Sequence, residues 1–269
     1  AGWPIAGQKE VIRRLQKADF LKYRGEHYVA QATTVVLAGK FDESEAIKKL
    51  EAAFSEMKVA KKFGKEKTVE KQDKPQIKIH EKKSDQTHIA IACRAFDVFD
   101  ERKYACDVLA DALGGGMSSR LFQRVREQLG AAYYVKAAAD YQTDIGQLEI
   151  RAGIDNSRAK EVTAAIIEEM NRFIKEKLSD QELQKAKDHL TGNFILELET
   201  SDALAVFYGG QEILTKKIED PEDLLKKIQA VTADDVQKTA QEIFRNDRLN
   251  LALVGPAPSQ TLEDVVLFN

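Results

Sequence analysis

Residues 112–135 read ALGGGMSSRLFQRVREQLGAAYYV, and this stretch decides the fold because three local patterns follow one another within it. Three glycines precede a helical pattern, which passes through Gly130 into an apolar strand. On a helical wheel Arg126 lies about 40° outside an apolar arc of roughly 100°, so it emerges beside the core. Tyr133 alternates with apolar residues along the strand, which predicts that it shares their face. The arc consists of Leu121, Phe122, Val125 and Leu129, and the strand face of Ala131, Val135 and Ala137.

The composition is that of an ordinary soluble chain and excludes two classes of partner. The 269 residues are 43% apolar and 32% charged, with a formal net charge of −3. This balance indicates no nucleic-acid partner and no anionic membrane surface. No apolar run approaches the roughly 20 residues that a bilayer-spanning helix needs. At this length we expect one large domain or two small ones.

The two cysteines indicate a reducing compartment. Cys93 falls in a strand pattern and Cys106 in a helix pattern, both among apolar neighbours. Two buried thiols are the simpler interpretation, and they predict a cytoplasmic location. The chain begins AGWP, without methionine, a basic segment or an apolar signal segment, so we interpret its start as a processed end or a cut.

The pattern before residue 76 predicts few elements. We expect helices over residues 8–21, with a break near Asp19, and over residues 42–54, and a buried strand over residues 33–38. Residues 58–74 are dominated by Lys, Glu and Gln, which is typical of an exposed linker.

From residue 76 onward the pattern predicts a complete α+β unit. We expect a mixed, mainly antiparallel sheet of about five or six strands, with helices packed on one face. Strands over 76–80 and 88–93 flank a polar turn at 82–85. The other expected strands begin at Tyr133 and cover 147–154 and 249–254, and the helices cover 100–113, 157–176, 179–198, 202–214, 221–231 and 232–244.

The two ends of the chain repeat one pattern. Helix, helix, strand and glycine follow in the same order at both ends, and a single shift of 216 positions aligns them without a gap. The matched pairs are Ile12 with Ile228, Leu15 with Val231, Asp19 with Asp235, Phe20 with Val236, Tyr28 with Phe244, Val35 with Leu251, Leu37 with Leu253 and Gly39 with Gly255.

The repeat predicts one whole unit and only the tail of another. We expect residues 1–60 to be the C-terminal tail of an incomplete first repeat unit, 61–75 a charged linker, and 76–269 a complete second unit. Two or three helices and a strand are too few to close a sheet and bury both of its faces. A complete first unit would need roughly 140 further residues in front, which were cut away, omitted or replaced by a partner chain.

The pattern G-G-G-M-S-S-R-L-F-x-x-V-R-E-x-x-G-x-x-Y-Y at 114–134 resembles the second half of the pitrilysin and mitochondrial-processing-peptidase family of zinc metallopeptidases. The resemblance continues in residues 2–7 (GWPIAG), 178–200 and 250–256, so it covers nearly the whole chain. The zinc site of that family is H-x-x-E-H on a helix, with a glutamate far downstream. This chain lacks the motif, and its equivalent helix reads Asp107-Val108-Leu109-Ala110-Asp111. The resemblance therefore places zinc in the missing N-terminal segment and none in this chain.

In that family an arginine and a tyrosine spaced R-x(6)-Y reach from the non-catalytic half toward the zinc site of the other half. The resemblance implies that Arg126 and Tyr133 hold the substrate backbone and stabilise the oxyanion of the tetrahedral intermediate. The residue pattern by itself favours a solvated helix arginine and a core tyrosine, and the resemblance reverses that preference.

Three further features carry alternatives that the sequence leaves open. Gly114, Gly115 and Gly116 match a longer glycine-rich loop that handles substrate in the family's non-catalytic subunit, or they form a plain turn. Residues 147–154 present a sheet edge to which an extended peptide adds, or they form an interior strand. His80 and His88 could face each other across a hairpin at 82–85, but two ligands without a convincing third are weak evidence for a metal site.

The resemblance implies that this chain is the C-terminal portion of a zinc metalloendopeptidase, inactive alone, which binds peptides in a chamber between two halves. The expected partners are a peptide or unfolded protein substrate and the missing N-terminal half or a partner subunit, and a homodimer is left open. The alternative is a non-catalytic scaffold or partner subunit of the same fold, which would lack H-x-x-E-H even at full length.

Overall fold

The computed structural model describes residues 4–256 and 261–268 of the chain. Gly2 and Trp3, which begin the GWPIAG motif, lie outside the described residues. Within the described ranges, each helix is too short or too polar to cross a membrane.

The chain folds into two compact units. The first unit combines Ala1–Val69 with Leu198–Ile218, and the second combines Glu70–Glu197 with Glu219–Asn269. The second unit therefore begins within the stretch that the sequence predicts as a linker, whereas residues 198–218 group with the first unit. That the chain is a repeat tail followed by a whole repeat stays a prediction.

The first unit is helical. Its helices, numbered in chain order, are α1 (Lys9–Arg14), α2 (Lys17–His27), α3 (Glu43–Phe54) and α7 (Ser201–Leu214). The predicted helix over 8–21 breaks earlier than expected, because Leu15 leaves the helical conformation (φ −59°, ψ 134°). Asp19 lies at the start of α2, where its carboxylate accepts a hydrogen bond from the Gln16 amide at 2.9 Å. α3 follows the N-cap Asp42, whose carboxylate accepts from the Glu45 amide at 2.8 Å.

The second unit is built on one five-stranded sheet. Its strands are β1 (Gln76–Glu81), β2 (Thr87–Ala95), β3 (Ala132–Tyr141), β4 (Gly146–Ile154) and β5 (Leu249–Gly255). They lie in the order β1-β5-β2-β4-β3, with β1 parallel to β5 and the other neighbouring pairs antiparallel. The predicted mixed, mainly antiparallel sheet is confirmed.

Helices cover one face of this sheet because side chains alternate between its two faces. On β2, the side chains of Ile89, Ile91 and Cys93 are buried. His88, which directly precedes Ile89, is exposed. α4 and α9 pack on the covered face, and the remaining helices of the unit pack on these two. The helices are α4 (Lys103–Gly114), α5 (Ala159–Lys175), α6 (Asp180–Glu197), α8 (Pro221–Ala230) and α9 (Ala233–Ile243).

The strand β5 lies between β1 and β2, so the hairpin predicted at 82–85 does not form. Val254 of β5 is in register with both His80 and His88. Two strand spacings, about 10 Å, therefore separate the backbones of the two histidines. The prediction that they face each other as metal ligands is wrong.

The strand β4 is interior, because it pairs with β2 along one edge and with β3 along the other. The interpretation of residues 147–154 as a free sheet edge is therefore wrong, and the interior alternative holds. Among the described strands, the edge on this side of the sheet is β3.

The two ends of the chain have the same local structure, at the offset found in the sequence. α2 and α9 begin and end 216 positions apart, and so do the 3₁₀ turns Ala30–Ala32 and Asn246–Arg248. Both helices carry an aspartate in the first turn that accepts a hydrogen bond from the N-cap amide, at 2.9 and 3.0 Å. After the helices, Tyr28 (φ −89°, ψ 75°) and Phe244 (φ −84°, ψ 75°) adopt nearly the same backbone angles.

Equivalent residues of the two ends nevertheless differ in burial. Phe20 and Tyr28 are 63% and 64% exposed, whereas Val236 and Phe244 are 1% and 2% exposed. The second pair belongs to the core beside the sheet, and no strand occurs in the described part of the first unit. The first unit thus leaves uncovered the apolar positions that the second unit buries.

The prediction of a buried strand over residues 33–38 is wrong. These residues form neither strand nor helix, and Val35 and Leu37 are 44% and 48% exposed. Their equivalents Leu251 and Leu253 are buried in β5, which has neighbouring strands on both sides. A strand is stabilised by hydrogen bonds to its neighbours, and the described part of the first unit supplies none.

Ile150→Ala is expected to lower the free energy of unfolding by about 2–5 kcal/mol, because it empties a fully enclosed position on an interior strand. Urea denaturation followed by circular dichroism measures the loss. Ile79→Ala, on the edge strand β1 where the side chain is 39% exposed, is the matched control and should cost clearly less. Equal losses would contradict the assignment of Ile150 to an enclosed position on an interior strand.

Candidate functional site

The segment that carries Arg126 is a π-helix, Phe122–Gln128, rather than the α-helix that the sequence predicts. The Leu129 amide donates to the Arg124 carbonyl oxygen at 3.1 Å, a bond to the fifth residue back. Leu121 and Val125, from the predicted apolar arc, are fully buried and anchor this wide turn. Short π-helices occur frequently at functional sites, where the wider turn redirects side chains.

Arg126 is exposed beside the core, as the helical wheel predicts. Its guanidinium carbon lies 5.1 Å from the centre of the Phe122 ring, a cation–π contact. No described residue forms an ion pair with Arg126, whereas Arg120 lies 2.8 Å from Glu182. The guanidinium N–H groups of Arg126 can therefore turn to a ligand without first leaving a carboxylate.

Tyr133 follows a sharp turn and lies in a β-bulge. Gly130 adopts φ +59°, a left-handed conformation that glycine reaches without steric cost, and the chain passes there from the π-helix toward β3. The pairing of β3 with β4 shifts register between Ala132 and Tyr134, so Tyr133 is the extra residue. Tyr133 is 58% exposed. The prediction that it shares the buried face of Val135 is wrong, because the bulge removes it from the alternation.

Tyr134, the next residue, lies across the uncovered face of the sheet. Gly153 of β4 is in register with both Tyr134 and His88. A Cβ at Gly153 would lie 2.4 Å from Cε1 of the Tyr134 ring, so the ring fills the space that a side chain would need. The Tyr134 hydroxyl lies 3.1 Å from His88 Nδ1. Sequence reasoning missed this contact, because its only local signal was the outward alternation of Tyr134.

Gly114, Gly115 and Gly116 pack closely against their surroundings. A Cβ at Gly114 would lie 2.5 Å from the Ala137 amide nitrogen, and one at Gly115 would lie 2.1 Å from the Asp111 carboxylate. At Gly116 the nearest atom, His189 Nε2, would be 3.3 Å away. Packing thus accounts for small residues at this turn, and substrate binding by the three glycines stays a prediction.

A cavity of about 90 Å³ lies beside the glycine turn, between α4 and α6. Its lining includes two polar pairs, Asp111 with His189 at 2.6 Å and Arg120 with Glu182 at 2.8 Å. Burial raises the pKa of Asp111, whereas the hydrogen bond from Arg120 lowers the pKa of Glu182 to about 2. A space of this size holds water rather than a peptide.

The helix equivalent to the metal motif of the resembled family holds a buried carboxyl group rather than a ligand set. The Tyr141 hydroxyl donates to Asp107 Oδ1 at 2.7 Å, and burial raises the pKa of Asp107 to about 7. Over residues 4–256 and 261–268, no three His, Cys, Asp or Glu side chains are grouped so that they could hold a metal ion. The described residues therefore do not fit a zinc site.

Several known proteins that resemble the chain are named as peptidases or proteases. Residues 14–190 match the family model described as the Peptidase M16 inactive domain. An uncharacterised zinc protease of Streptomyces coelicolor is 30% identical over 95% of the chain and 57% of its own length. The uncharacterised zinc protease YmxG of Bacillus subtilis is 29% identical over 95% of the chain and 62% of its own length.

Among solved structures, the peptidase M16 inactive domain from Pseudomonas fluorescens has the same fold. It aligns with 95% of the chain and 61% of its own length, with a TM-score of 0.84 and 20% sequence identity. The chain spans less than two thirds of the length of all three of these proteins.

The Asp107→Asn variant is expected to gain stability relative to the unsubstituted protein as the pH rises from about 4 to about 7. Below about pH 4 the Asp107 carboxyl group of the unsubstituted protein is protonated in both the folded and the unfolded chain. Between about pH 4 and pH 7 it ionises only in the unfolded chain, and this favours unfolding. The difference in unfolding free energy should change by about 2–4 kcal/mol over this range.

Urea titrations at several pH values measure this change. Asp188→Asn, on the exposed side of α6, removes a carboxyl group outside the core and serves as the control substitution. Parallel pH profiles for Asp107→Asn and the unsubstituted protein would show that the buried carboxyl group does not titrate as stated.

Proposed function

Because the chain belongs to the Peptidase M16 inactive-domain family, we propose that it is the half of a zinc metalloendopeptidase that does not hold the metal. In this proposal a second half carries zinc, and this chain binds the peptide substrate and completes the active site. The observation that carries the proposal is the exposure of Arg126 and Tyr133 on two irregular elements, the π-helix and the bulge, which one turn joins at Gly130.

Arg126 and Tyr133 are proposed as the groups that bind the peptide at the reacting carbonyl. A guanidinium offers several N–H donors and a phenol offers one O–H donor, which suits a carbonyl oxygen that becomes negatively charged. Two observations support this role. Tyr133 is 58% exposed, and no described residue forms an ion pair with Arg126.

Zinc is proposed to belong to the second half. The relatives from Streptomyces coelicolor and Bacillus subtilis are named zinc proteases, and each is longer than the region that the chain matches. The described residues of this chain have no group of three side chains that could hold the ion. We therefore propose that the chain is inactive without the second half.

The partner is proposed to be this metal-bearing half, in the same or a separate polypeptide. The first unit supports the proposal through Val35 and Leu37, which are about half exposed although their equivalents lie in a central strand. A partner that supplied strands on both sides of residues 33–39 would bury these positions as β1 and β2 bury Leu251 and Leu253.

The purified chain is expected to contain far less than one equivalent of zinc, because its described residues supply no ligand set. Elemental analysis by mass spectrometry after dialysis measures the metal content. A full equivalent of zinc that a chelator removes would contradict the proposal.

Arg126→Ala and Tyr133→Phe are each expected to lower kcat of the full-length protein by about 10²–10³, because each removes a donor to the oxyanion. The rate is measured by the cleavage of a fluorogenic peptide, selected from a peptide library as a substrate of the unsubstituted protein. Arg124→Ala is the matched control on the same π-helix, since Arg124 lies 3.7 Å from Glu168, and it should change kcat little.

An unchanged kcat in both variants would show that Arg126 and Tyr133 do not take part in the reaction. If the full-length protein cleaves no peptide and its sequence also lacks H-x-x-E-H, the role of a non-catalytic partner subunit replaces that of a peptidase half.

A further inference from the structure

We propose that His88 and Tyr134 are positioning residues that hold the bulge at Tyr133, an inference that rests on the proposed role of Tyr133 in substrate binding. His88 lies on β2 and Tyr134 on β3, with β4 between them. They are joined across β4 by the hydrogen bond between the Tyr134 hydroxyl and His88 Nδ1, at 3.1 Å.

Gly153 makes this contact geometrically possible. It is the residue of β4 that is in register with both partners, and it has no side chain to fill the space between them. The Tyr134 ring occupies that space, since a Cβ on Gly153 would lie 2.4 Å from Cε1 and 2.9 Å from Cδ1 of the ring. The ring therefore lies against β4 at Gly153, and its hydroxyl reaches His88 on the third strand.

The contact determines which residue of β3 is the extra one. β3 is an edge strand, so among the described strands β4 is the only one that pairs with it near the bulge. A shift of the bulge by one residue would put Tyr133 in register with Gly153 and send Tyr134 to the exposed position. The fit of the Tyr134 ring over Gly153 and its bond to His88 favour the observed register, in which Tyr133 projects from the strand.

The same register is held from the other side of the bulge by backbone contacts. The Ala131 amide donates to the Val125 carbonyl oxygen of the π-helix at 3.0 Å, and Val135 is buried in the core. Between Ala131 and Val135, the Tyr134 side chain holds β3 in place through its contacts on the uncovered face of the sheet. Tyr133 thus has a defined position although its own side chain is largely exposed.

Hydrogen exchange of the backbone amides of residues 132–135 tests the holding role in the chain itself. His88→Ala, Tyr134→Phe and Gly153→Ala should each increase exchange by about 5–10-fold, the factor expected for loss of one neutral hydrogen bond. The double variant His88→Ala/Tyr134→Phe should exchange no faster than either single variant, because both remove the same bond. His80→Ala, on the same face in β1, is the control and should change nothing there. Unchanged exchange in all three variants would overturn the proposal.

Kinetics of the full-length protein distinguish positioning from a general structural effect. His88→Ala should lower kcat by about 5–10-fold with KM altered by about twofold or less, and it should have no further effect when Tyr133 is already Phe. The same fall in kcat in both backgrounds would show that His88 does not act through Tyr133. If Tyr133→Phe alone leaves kcat unchanged, the proposed function of Tyr133 fails, and the exchange measurements still decide whether His88 and Tyr134 hold the bulge.

Discussion

Burial of a single face of the five-stranded sheet is the constraint on which the second unit depends. Alternate residues of β2 and β4, such as Ile91 and Ile150, are enclosed beneath the helices. A slip of either strand by one residue would turn these side chains to water, so the register of the sheet is strongly specified. The opposite face is not needed for the core, and it can therefore carry polar side chains such as those of His88 and Tyr134, which hydrogen-bond to each other across β4.

Much of the fold could be predicted because it depends on residues close together in the chain. Alternation predicts β2 and β4, and helical periodicity predicts the helix over 179–198, before which the Glu182 carboxylate accepts from the Ser179 amide at 3.1 Å. The helical wheel placed Arg126 beside the core, and the wider π-helical turn preserved that placement because Leu121 and Val125 still anchor it.

The features that could not be predicted depend on neighbours distant in the sequence. Tyr133 was assigned to the buried face because alternation assumes a regular strand, and only the pairing with β4 creates the bulge. Residues 33–38 have a strand-forming sequence, yet a strand requires partners that the described first unit does not supply. The contact of Tyr134 with His88 needs the register of three strands at once, and no local pattern encodes that register.

Of the five strands, β5 is synthesised last, yet it enters between the first two. During translation β1 and β2 therefore leave the ribosome without the neighbour that separates them, while α4 and α5 can already form from local contacts. The edge of β2 with which β5 pairs stays unpaired until this final strand arrives. The sheet therefore closes only after β5 has been synthesised, so the last strand in sequence completes the pairing of the first two.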